Sequence, residues 1–163
     1  MTELDRLLEG NQRYVLAGSP RPKDALPQRR LALLTCMDTR IDPLAVLGLG
    51  LGEAHVLRNA GGRVTDDVIR SLVLSVHALG ARTVVVMQHT HCGLANTTDE
   101  ELRRRSGAEI DFYPIADHAG ALRDDVDRLV ASGPLHLVDT VTGLLLDIES
   151  GAVQLVARWP REH

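Results

Sequence analysis

Three short apolar runs, each ending in a knot of polar and reactive side chains, constrain this 163-residue chain more than any other feature. Leu31-Ala32-Leu33-Leu34-Thr35 runs into Cys36-Met37-Asp38-Thr39-Arg40. Ala54-His55-Val56-Leu57 runs into Arg58-Asn59-Ala60-Gly61-Gly62. Thr83-Val84-Val85-Val86-Met87-Gln88 runs into His89-Thr90-His91-Cys92-Gly93. A strand apolar on both faces belongs inside a parallel sheet. Helical periodicity separates the runs. Residues 65–79 carry Val68, Ile69, Leu72, Val73 and Val76 on one face, with Thr65 placed to cap and Asp66 and Asp67 in the first turn. Residues 43–48, 97–106 and 118–132 read as further helices, and 108–117 as a loop. A fourth strand is expected at 135–139, followed by a hairpin of 143–148 and 152–157. This alternation predicts an α/β fold: a mostly parallel central sheet with flanking helices and a C-terminal antiparallel hairpin. The length suits a single domain over 1–163.

Residues 1–30 stand apart. A helix is expected over 3–17, and residues 18–30 hold three prolines, which favour an extended linker. The two together predict an N-terminal helical arm that packs away from its own strands, on a neighbouring subunit.

Net charge is −4, Lys23 is the single lysine, and Arg103-Arg104-Arg105 is the one dense basic run. With aromatics limited to Tyr14, Phe112, Tyr113 and Trp159, neither a basic footprint nor a base-stacking platform is present, so no nucleic-acid partner is expected. No apolar run is long enough to span a bilayer. The N-terminus lacks the basic-then-apolar pattern of a signal peptide. A cytoplasmic location follows as an expectation, with both cysteines reduced.

In open parallel sheets, ligands bind beyond the carboxyl ends of the strands. There the chain would gather Cys36, His89 and Cys92. Two thiolates and an imidazole suit zinc, and three protein ligands leave a tetrahedral position open for chemistry. His91 and Asp38 are the other plausible donors nearby. Asp38 and Arg40 can form a bidentate pair, which keeps the carboxylate off a metal and leaves an oxygen free to orient a nucleophile. Gly61 and Gly62 allow close approach of a small ligand. Two other readings stand beside this one. Cys36 could be a nucleophile with a histidine base, although the five-residue Cys-to-Arg spacer of phosphatase loops is absent. A noncatalytic zinc domain would need a fourth strong ligand and would leave Asp38 and Arg40 without a purpose.

Taken together, these residues resemble the β-class carbonic anhydrases. Cys-Met-Asp-Thr-Arg at 36–40 is similar to that family's Cys-x-Asp-x-Arg. Arg58-Asn59-Ala60-Gly61 resembles its Arg-Asn-Ala-Gly segment, and 89–93 its His-x-x-Cys-Gly. Gly10-Asn11-Gln12-Arg13-Tyr14 looks like its N-terminal helix signature. The resemblance implies a carbonate dehydratase, a lyase that interconverts CO2 with bicarbonate and a proton through attack by zinc-bound hydroxide. It implies one Zn2+ per chain on Cys36, His89 and Cys92, with Asp38 and Arg40 as the catalytic dyad. Gly61, Gly62 and Gly93 would border the substrate pocket. Gln28, one residue out of register with a family glutamine, would reach the site of a neighbouring subunit. A homodimer or tetramer is implied. His91 stands where the family usually has small or acidic residues, and is expected to serve as a proton relay. Asp38 released from Arg40 could itself ligate zinc and close the site. Hydrolysis of a CO2-like substrate, carbon disulfide or carbonyl sulfide, is the alternative activity, and a catalytically silent zinc-binding relative is another.

Overall fold

In a computed structural model, residues 1–18 and 22–160 are described. Linker residues 19–21 and His163 lie outside them. Five strands form one sheet in the order β2-β1-β3-β4-β5. They are β1 (Leu31–Cys36), β2 (Ala54–Asn59), β3 (Thr83–His89), β4 (Thr140–Leu146) and β5 (Val153–Trp159). β1 pairs parallel with both β2 and β3, β3 pairs parallel with β4, and β5 returns antiparallel to β4. The helices are α1 (Glu3–Leu16), α2 (Pro43–Val46), α3 (Asp66–His77), α4 (Asp99–Ser106) and α5 (His118–Ala131).

Packing follows the period-two alternation of the strands. Ala32, Leu34, Val84 and Val86 face Val68, Leu72 and Val76 of α3 and Leu122, Val126 and Leu129 of α5. On the other side, Leu33 and Met87 join Ile41, Leu94, Ile115 and Leu146. This second layer mixes loop residues such as Ile41 and Ile115 with Val46, Leu102 and Ala121 of α2, α4 and α5, and a cavity opens on this side.

One expected element is corrected. Residues 135–139 are not a strand: Gly133–Leu135 is a 3-10 turn, and β4 begins at Thr140. Leu135 and Val138 are both buried, three positions apart, which is turn spacing rather than alternation. Their amides close back on Ser132 and Leu135 carbonyls at 2.9 and 3.0 Å. The strand expected to open the hairpin is therefore also the fourth parallel strand. It pairs with β3 from Thr83↔Thr140 to His89↔Leu146.

α1 has a full capping box between Thr2 and Asp5, yet none of its residues is buried. Leu4, Leu7, Leu8, Val15 and Leu16 are all exposed. The arm does pack away from its own sheet. No helix is long and apolar enough to cross a membrane among the described residues.

Candidate active site

β1 and β3 are adjacent and parallel, so their polar ends emerge side by side. Thr35 pairs with Met87, and the Thr35 hydroxyl donates to the Met87 carbonyl at 2.9 Å. Cys36 ends β1, His89 ends β3, and Cys92 follows one turn later. All three are buried. One ligand-type atom from each lies within 4.8 Å of the others, and the two Sγ atoms are 4.0 Å apart. Gly62, at φ 64°, lets the segment after β2 press against the strand ends. A Cβ there would lie 3.0 Å from the Met87 carbonyl and 3.1 Å from the Cys36 nitrogen.

His89 Nδ1 engages the Thr90 carbonyl at 2.8 Å, which fixes the ring and turns Nε2 toward the two sulfurs. Nε2 is fully buried and has no hydrogen-bond partner among the described residues. A buried polar atom left bare costs about 1–3 kcal/mol, so such an atom calls for a missing partner. The cysteines act on each other. Cys92 beside it brings the Cys36 thiol down to about 4, against its burial and with help from His89. Cys92 is pushed up by the same neighbour and by burial. One sulfur thus sheds its proton readily, as a metal ligand must. Two sulfurs and one bare nitrogen fit zinc and leave one of its four positions open.

Asp38 stands over this set, with Oδ2 3.7 Å from His89 Nε2. Arg40 holds it through two parallel bonds, Nε to Oδ1 at 2.9 Å and Nη2 to Oδ2 at 2.7 Å. The Arg40 amide adds a third to Oδ1, and Nη2 also donates to the His91 carbonyl. Arg58 braces the backbone below, donating to the carbonyls of Cys36 and Asp38 at 3.0 and 2.6 Å. Arg40 holds the Asp38 carboxyl well below the usual carboxylate range, so it is an acceptor only at neutral pH. In front opens a cavity of about 580 Å3, walled by Met37, Leu94, Leu102 and Phe112 besides the reactive residues.

The protein-family model described as carbonic anhydrase matches residues 31–132. The chain belongs to the β-carbonic anhydrase family. Over 162 residues it is 34% identical to β-carbonic anhydrase 1 of Mycobacterium tuberculosis, covering 96% of this chain and 99% of that one. A solved carbonic anhydrase from Streptococcus mutans superposes with a TM-score of 0.86 at 38% identity, covering 96% of this chain and 99% of the other. A carbon disulfide hydrolase from Acidianus is 44% identical over 84 residues, 52% of this chain and 41% of its own.

Gly61 and Gly93 line the cavity. Gly62 lies behind it, against the strand backbones. The His91 ring turns outward, with Nε2 3.6 Å from Glu149 at the hairpin tip, while its carbonyl serves Arg40. Gln28 does not line this chain's cavity; its backbone N–H donates to the Gly52 carbonyl just before the edge strand β2. Sequence reasoning missed Leu94, Leu102 and Phe112. Phe112 lies in a segment read only as loop, and nothing local marks it as a wall of the site.

Proposed function

We propose that this chain catalyses the reversible hydration of CO2 to bicarbonate and a proton. The observation that carries the reading is the Asp38–Arg40 pair facing an open three-donor set. Cys36, His89 and Cys92 hold the zinc, one ion per chain. When bound, zinc lowers the pKa of water to about 7 and so makes hydroxide available at neutral pH. Asp38, kept ionised by Arg40, accepts a hydrogen bond from the attacking group and so turns its lone pair toward the substrate. Arg40 also keeps the carboxylate from swinging into the donor set, where it would close the site. Leu94, Leu102, Phe112 and the bare backbones of Gly61 and Gly93 offer CO2 an apolar seat. Gly62 lies behind the pocket and lets the backbone next to Gly61 press against the strand ends. His91, whose ring lies in solvent beside Glu149, passes the product proton outward. The apolar, exposed face of α1 supports a homodimer or tetramer in which a second copy covers it, and Gln28 then serves a neighbour's site. Cysteines that must stay reduced support a cytoplasmic location.

The test is stopped-flow CO2 hydration by zinc-loaded protein beside its Asp38→Ala variant. Fast turnover that the variant loses, with zinc retained, is the expected result. Zinc-loaded protein that leaves CO2 untouched but hydrolyses carbon disulfide would overturn it in favour of the sulfur substrate. Inertness toward both would mark a silent relative.

A further inference from the structure

Arg63 has no part in the chemistry assigned to Asp38 and Arg40, yet it is the most fully engaged side chain near the site. Nε donates to Asp125 Oδ2 at 2.7 Å and Nη2 to Oδ1 at 3.4 Å. Nη1 donates to two carbonyls, Tyr113 at 2.9 Å and Pro114 at 3.3 Å. Its own amide and carbonyl are tied to the Asn59 side chain. Asp125 is completed by the Val64 amide and by Gln88, the residue before the ligand His89. Both charged residues are buried.

What Arg63 grips is strained. Tyr113 has φ 56°, left-handed backbone that a bulky residue rarely adopts. Such an outlier persists only where its surroundings over-determine it, and outliers of this kind cluster at ligand clamps. The residue before it is Phe112. With Ala60, Phe112 lines both the active-site cavity and a second cavity of about 480 Å3 behind it. The ring is therefore part of a partition whose position depends on the turn at 113–114. The turn is pinned at its flanks by the Phe112 amide on Asp99 and the Ile115 amide on the Leu94 carbonyl. Between those pins, Arg63 holds it from the interior, and Arg128 stacks over the Tyr113 ring at 5.6 Å.

We propose that Arg63 is a positioning residue for substrate: by gripping the Tyr113 and Pro114 carbonyls it fixes the strained turn, and with it the Phe112 wall of the active cavity. Its kinetic consequence rests on the CO2 reading; its structural consequence does not. Lysine can keep a charge toward Asp125, but it lacks the planar fork that reaches a carboxylate and two carbonyls at once.

The test uses zinc-loaded Arg63→Lys and Arg63→Met, with four readouts: zinc content, melting temperature, the separate kcat and KM for CO2, and amide exchange at residues 112–115. In Arg63→Lys, KM is expected to rise about tenfold with kcat and zinc content retained, since a displaced apolar wall weakens binding. Exchange at 112–115 speeds up, and the melting temperature stays above that of Arg63→Met. If lysine restores KM together with melting temperature, Arg63 is a structural charge only and the proposal falls. If Arg63→Met does not fold, Arg63→Lys decides alone. If the wild-type enzyme does not hydrate CO2, the activity reading fails, and exchange judges the grip: faster exchange in Arg63→Lys upholds it and unchanged exchange overturns it.

Discussion

Asp38–Arg40 and Asp125–Arg63 are the same chemical pair in two settings. The first joins residues two apart, with Arg40 51% and Asp38 16% exposed. The second joins residues 62 apart, at 10% and 3%. Arg40 drives the Asp38 carboxyl down, because its bonds outweigh a small burial cost. At Asp125 the order reverses: burial pushes the carboxyl up, against the opposing pull of Arg63, the Val64 amide and Gln88. A local, half-open pair leaves its carboxylate ready to accept a hydrogen bond from a ligand. A distant, sealed pair fixes the segments that carry it. The arginine does opposite jobs because water reaches one pair and not the other.

The sharpest way to break this comparison is to remove each carboxylate in turn. Asp38→Ala should cost about 100-fold or more in kcat, the range for a lost acid–base or orienting group. Its melting temperature should hardly move, since a surface pair contributes about 0–1 kcal/mol. Asp125→Asn should do the reverse. It leaves Arg63 buried without its counter-charge, and urea unfolding should show a loss of about 3–5 kcal/mol. Equal stability losses in the two variants would erase the distinction.

A smaller effect lies in the acid range. The Asp125 carboxyl is raised in the folded protein above its unfolded value, near 3.9. Below both values the group is protonated in both states and contributes no slope. As pH climbs past the unfolded value toward the folded one, the native state keeps a proton that the unfolded chain has lost. Stability due to this group therefore falls with rising pH across that window. Urea midpoints over the window should show the falling contribution in the wild type and not in Asp125→Asn. A difference that grows in the opposite sense would mean that Arg63 outweighs burial after all.

The smallest effect concerns His91, whose carbonyl Arg40 also holds. His91→Ala keeps the carbonyl that Arg40 uses, so Asp38 should stay in place and stability should be unchanged. What should change is the dependence of turnover on buffer concentration, read by stopped flow. Turnover and buffer dependence equal to wild type would remove His91 from the proton path.

The meeting of Cys36, His89 and Cys92 was legible in the sequence because each lies at or just past the end of an apolar run, where a parallel sheet must present it. Asp38 and Arg40 were legible because they share a five-residue segment with Cys36. Asp125 was not: it reads as one more acid on α5, and its partners Gln88 and Arg63 lie 37 and 62 residues away. Phe112 was hidden for a similar reason, since a loop residue becomes a wall only when a distant arginine holds its turn. The misplaced strand at 135–139 has another cause. Leu135, Leu137 and Val138 supply strand-like composition, but the ladder begins where the Asp139 and Thr140 amides meet the Arg82 carbonyl, and the preceding residues close a turn.

The alternation of β3 carries a consequence for how this chain tolerates change in length. Val84, Val86 and Gln88 face the helices, while Val85, Met87 and His89 face the other layer. One residue inserted in the middle of β3 would exchange those faces. It would turn the imidazole toward Asp125 and the amide of Gln88 toward the two sulfurs. A single amino acid added there would undo the metal site and the Gln88 bond to the buried ion pair in one event. The same addition at the tip of the β4–β5 hairpin, around Ser150, would lengthen an exposed turn and reach neither.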